Sequence, residues 1–167
     1  MRNLIKPILF IFSLTFLGSD LYSQGSICSG FHRRYCTMEG SKKDKKAFMY
    51  NSQSKSGLFS QGTISKMRCV IYKGMDYRMT VCCETALGSA VLFKIFDAKT
   101  NEELYDNAKH ENQQQFEFQS STTRSLIVEV SVPSGQTKDG EGKPADAACV
   151  GLLIEHKVSD RVGLSTY

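Results

Sequence analysis

From Met67 onward apolar and polar residues alternate with a period of two, the spacing that turns one side of an extended strand toward a core. Met67, Cys69 and Ile71 alternate with Arg68, Val70 and Tyr72, and Tyr77, Met79, Val81 and Cys83 alternate with Asp76, Arg78, Thr80 and Cys82. Between the two runs stands Lys73-Gly74-Met75, where glycine supplies the positive φ of a tight turn, so the pair predicts a β-hairpin. Val91, Phe93 and Ile95 oppose Leu92, Lys94 and Phe96; with both faces partly apolar, this strand is expected inside a sheet. A polar turn at Asp97–Asn101 leads to a short strand near Glu103–Tyr105, and Phe116 and Phe118 flank Glu117 in another. Leu126, Val128, Val130 and Val132 make a strand that Pro133 ends. Cys149 to His156 closes the core with Val150, Leu152 and Ile154 on one side and Cys149 and Leu153 on the other.

Seven or eight short strands with turn signals between them, and no amphipathic helix of useful length, predict an all-β antiparallel sandwich, jelly-roll-like. Residues 24–62 lack sustained periodicity and read as an irregular N-terminal lead-in with one short strand at Ala47–Tyr50. The sandwich is expected over 63–158, a Gly- and charge-rich loop over Ser134–Asp146, and a tail over 159–167.

Two positive charges within Met1–Lys6, an apolar run from Pro7 to Leu17 and a small, polar exit from Gly18 to Gln24 describe a secretory signal peptide over residues 1–23. The apolar run is shorter than a membrane span, and no second one follows. The mature chain is therefore expected to be secreted or periplasmic, without a transmembrane segment. Export makes Cys28, Cys36, Cys69, Cys82, Cys83 and Cys149 disulfide candidates. Adjacent strand residues face opposite ways, so Cys82 and Cys83 need separate partners. Cys83–Cys149 is the expected core bridge, Cys82 is expected to tie down the lead-in through Cys28 or Cys36, and Cys69 reads equally well as a buried thiol.

The run from Cys69 through Gly74-Met-Asp-Tyr77 to Val81 resembles the strand, Gly-x-x-Tyr turn and second strand of bacterial prepeptidase C-terminal domains. Val91–Asp97, Glu103–Asn107, Phe116–Phe118 and Leu126–Val130 are similar to that family's later strands in order and spacing, over about residues 60–156. The resemblance implies a jelly-roll-like sandwich serving as an accessory module of secreted enzymes.

Net charge +4 is too mild a bias to indicate nucleic acid, and the run Lys42–Lys46 reads as a solvated loop. No Gly-x-Ser-x-Gly elbow or Cys-x-x-Cys pair occurs, and His32, His110 and His156 are the only imidazoles. Asp76, Asp97 and Asp106 could pair as glycosidase carboxylates but read as turn formers. Asp97, Thr100, Asn101 and Glu102 crowd one turn without the spacing of a dedicated calcium loop. No cofactor or metal is expected, and no catalytic residue. The expected function is a secreted, non-catalytic accessory or interaction module with a protein or cell-surface glycan as partner. The alternative is a carbohydrate-binding sandwich in which Tyr72, Tyr105 and Tyr35 replace the missing Trp.

Overall fold

A computed structural model describes residues 27–37, 48–87, 91–134 and 147–159. The predicted signal peptide, the Lys42–Lys46 run, most of the 134–146 loop and the last residues of the tail lie outside the described residues.

Among the described residues a short helix, α1 (Phe31–Tyr35), precedes nine strands: β1 (Met49–Tyr50), β2 (Lys55–Phe59), β3 (Ile64–Ile71), β4 (Met75–Cys83), β5 (Leu92–Asp97), β6 (Glu103–Asp106), β7 (Gln115–Ser120), β8 (Arg124–Ser131) and β9 (Ala148–Val158). All pairings are antiparallel. One sheet runs β1–β9–β4–β7, with β2 also on β9; the other runs β3–β8–β5–β6. Taking β1 and β2 as two parts of one edge strand along β9, each layer has four strands in jelly-roll order. The sandwich is all-β, and β5 lies inside its sheet between β8 and β6.

Alternation sets the core. Tyr77, Met79 and Val81 of β4 meet Val150, Leu152 and Ile154 of β9, and across the layers stand Phe93, Ile95, Leu126, Val128 and Val130. At roughly 25 cal/mol per Å² of apolar surface removed from water, this double layer is the main source of stability.

Two expectations are corrected. The runs around Gly74 are not a hairpin: β3 pairs with β8, whereas β4 pairs with β7 and β9 in the other sheet. Gly74, at φ 78°, donates its N–H to the Ser120 carbonyl, and the link crosses between layers. Each strand's apolar face meets the other through the core, and alternation alone is identical for the two arrangements. The second correction concerns the lead-in, which supplies α1, β1 and β2 to the sandwich. The Ser/Gly-rich β2 forms five register pairs with β9, from Lys55–Leu152 to Phe59–Ala148.

Candidate functional site

The N-terminal segment is fastened to the outer face of the β9 sheet by Cys28–Cys149 and Cys36–Cys82. Cys83 does not pair with Cys149, as the sequence suggested. Cys149 projects from the outer face of β9, whereas Cys83 turns toward the core between the layers. Cys69 and Cys83 stay outside both bridges, and burial pushes the Cys69 thiol up to about 11. The strap closes on Gly151: a Cβ there would stand 2.7 Å from Cys36 Sγ and 2.8 Å from His32 Cα.

His32, within this strap, is itself buried. Its backbone N–H donates to Ser56 Oγ at 2.9 Å, and the same hydroxyl lies 2.6 Å from His32 Nδ1. The other ring nitrogen, Nε2, faces Tyr50 Oη at 3.3 Å. Burial, then the Arg33 and Lys55 charges, hold the imidazole below its ordinary pKa. Arg33 also lies 3.9 Å over the Tyr50 ring. A serine and a histidine are thus in contact, but no carboxylate among the described residues orients the imidazole, as nucleophilic catalysis requires.

Between β1 and β2 the chain leaves β9 in the turn Asn51–Ser54. Ser54 Oγ stands opposite Ile154 and accepts its N–H at 2.9 Å, while its own proton is shared between the Asn51 carbonyl at 2.7 Å and the Ile154 carbonyl at 3.1 Å. The Gln53 amide reaches the other sheet, accepting the Val70 N–H at 2.7 Å and donating to the Val70 carbonyl at 2.9 Å. Asn51 Oδ1 accepts from the Gln53 N–H, and Asn51 Nδ2 lies 3.4 Å from His156 Nδ1. One polar turn therefore ties both layers together at this corner.

Beside it, the buried Tyr77 hydroxyl accepts the Tyr72 N–H at 2.9 Å. That bond fixes the end of β3 so that Tyr72 stands 57% exposed. Tyr72, Tyr50, the turn 51–53, Met75, Tyr77 and His156 line an open cleft of about 520 Å³. Among the described residues no Asp, Glu, Lys or Arg lines it. Its polar groups are amides, hydroxyls and an imidazole around exposed phenol rings.

The structure separates the other predicted residues from this cleft. Tyr105 is buried, stacked on Phe116 at 3.9 Å and on His110 at 5.1 Å, so it offers no exposed face. Its strand alternates inward there, and its ring belongs to a row through Phe116 and Phe118 to Tyr77. Tyr35 is exposed on α1 but packs on Phe31 at 4.7 Å. Asp97 accepts the Lys99 and Thr100 N–H groups at 2.8 and 3.1 Å and pairs with Arg124 at 3.3 Å. Those backbone bonds, then Arg124, hold its carboxyl below the usual range and occupy the oxygens a cation would need. Asp106 pairs with Lys94 at 2.8 Å and caps the Ala108 N–H, while Asp76 lies 4.0 Å from Lys157. Among the described residues no group of three or more His, Cys, Asp and Glu is placed to hold a metal.

Sequence reasoning missed Tyr50, Asn51 and Gln53. The polar run Asn51–Ser54 signals a turn, but nothing in it tells which edges the turn joins.

No protein-family profile and no curated protein sequence matches this chain. Among solved structures it is similar to PliG of Aeromonas hydrophila, a periplasmic inhibitor of g-type lysozyme, at TM-score 0.45 and 12% identity, covering 66% of this chain and 87% of that one.

Proposed function

We propose that this chain is a non-catalytic binding module of an oxidising compartment, and that the cleft beneath Tyr72 is its contact surface. Two disulfides built into the sandwich support the compartment, since cytosolic thiol pools keep such bridges reduced. Among the described residues no helix is long and apolar enough to cross a membrane. The observation that carries the binding reading is Tyr72 itself. Its ring is more than half exposed, has no ring partner among the described residues, and borders a concave, uncharged lining. Ordering an exposed aromatic at the mouth of a cleft is what recognition sites do. An accessory role of the kind the prepeptidase C-terminal resemblance implies fits the same picture.

The uncharged lining favours a neutral saccharide as the ligand. Sugars offer an apolar ring face to an aromatic and hydroxyls to amides, and both kinds of group are here. Against catalysis stands the engagement of the imidazoles: His32 is closed onto Ser56, His156 faces Asn51, and His110 stacks on a buried ring. A glycan array with the oxidised protein tests the reading. Retention of one class of neutral glycan, lost in Tyr72→Ala and kept in Tyr35→Ala, supports it; retention indifferent to Tyr72, or none, refutes the site.

A further inference from the structure

At the other end of the same edge, three inward-facing positions carry residues that do not fill a core. In β2 the inward residues are Lys55, Gly57 and Phe59, paired with the inward Leu152, Val150 and Ala148. In β3 the inward position opposite Val130 is Ser65. Lysine swings its charge to water, glycine has no side chain and serine is short, so the two layers do not close between β2 and β3. The result is a gap of about 180 Å³ walled by Phe59, Met67, Val130, Val150 and Leu152. Among the described residues Lys55 is the only charged one that lines it, and it has no ion-pair partner there.

We propose that this gap is a second binding site, for a small anionic amphiphile: an alkyl carboxylate whose chain enters between the sheets and whose head meets Lys55. Size and charge each support the assignment. An apolar cavity of about 150 Å³ holds a benzene, so this one takes a chain of comparable bulk. A single unpaired cation at the mouth of an apolar gap selects a negative head over a neutral or positive one. Among the described residues neither β2 nor β3 has a second strand neighbour, so the mouth lies at the edge of both sheets. The site shares no lining residue with the cleft under Tyr72, so either can fail without the other.

The test is calorimetric titration of the oxidised protein with octanoate, octylamine and octyl glucoside, followed by methyl NMR. Octanoate is expected to bind at one site and to shift the methyl signals of Met67, Val130, Val150 and Leu152. Lys55→Gln should weaken it about two- to fivefold, the range of a solvent-exposed ion pair. Ser65→Leu, filling the gap from the β3 side, should abolish binding while leaving the melting temperature within a few degrees. Gly57→Val gives a second blocked variant from the β2 side. Octylamine binding as tightly as octanoate, octanoate binding unchanged in both filled variants, or no saturable octanoate binding would overturn the proposal.

Discussion

Gly151 and His32 are in direct backbone contact, with room between them for a hydrogen and not for a methyl group: a Cβ on Gly151 would lie 2.8 Å from His32 Cα. The second neighbour, Cys36 Sγ at 2.7 Å, is bonded to Cys82 of the adjacent strand and has nowhere to retreat. Gly151→Ala must therefore lift the strap. A loss of about 1–3 kcal/mol is expected, the usual cost of overpacking. Gly57→Ala is the control, because its added methyl meets the edge of the Phe59 side-chain ring at 3.3 Å and that ring can give. Denaturant melts of the two variants check this, with Gly151→Ala clearly the less stable.

The bridges are specific enough to be counted. Unfolded without reductant, the protein should show two thiols, Cys69 and Cys83, and a non-reduced digest should yield Cys28–Cys149 and Cys36–Cys82 as linked peptides. Removing Cys36–Cys82 as a double serine variant should cost about 2–5 kcal/mol. Six titratable thiols, or a Cys83–Cys149 peptide, would contradict the strap.

His32 makes stability depend on pH. Its folded pKa lies below the ordinary value of 6.5, so between the two values the unfolded chain binds a proton that the folded chain refuses. Stability is thus fully present above about pH 6.5 and falls as the pH drops from there toward the folded pKa. Asp97, Glu103 and Asp106, also held below their ordinary values, lose their contribution in a separate and more acid window. Urea melts at pH 7.5 and 5.5 should show the loss in the native protein and a smaller one in His32→Asn. An equal slope in both would remove His32 as the cause.

Tyr77→Phe tests how Tyr72 is held. Without the hydroxyl, the Tyr72 N–H loses its acceptor, at a cost of about 0.5–1.5 kcal/mol, and the end of β3 should exchange its amide hydrogens faster. Unchanged exchange at Tyr72 would show that the bond does not fix it.

Much of the sandwich was legible because burial on one face forces alternation. Tyr77, Met79 and Val81, like Val150, Leu152 and Ile154, fall on the core side where their spacing puts them. Partner choice was not legible. The β3–β4 crossover and a hairpin demand the same residues, and Cys149 could be matched with Cys28 only by knowing which face of β9 the strap covers. β2 was hidden because its edge position tolerates Lys55, Ser56 and Gly57, residues poor in strand propensity. Of the cleft, Tyr72 was visible as an outward tyrosine. Tyr105, the other candidate contact in the strands, is buried, because exposure depends on what packs above a strand as well as on its period.

The most direct test of the cleft is an amide NMR titration with neutral oligosaccharides, in the native protein and in Tyr72→Ala. Saturable shifts at Tyr72, His156 and the side-chain amides of Asn51 and Gln53 are predicted, with the sugar recovered intact. Affinity should be roughly three- to tenfold lower in Tyr72→Ala, as expected for one lost aromatic contact. Shifts elsewhere, no binding to any neutral sugar, or cleavage of the sugar during the titration would contradict a non-catalytic site beneath Tyr72.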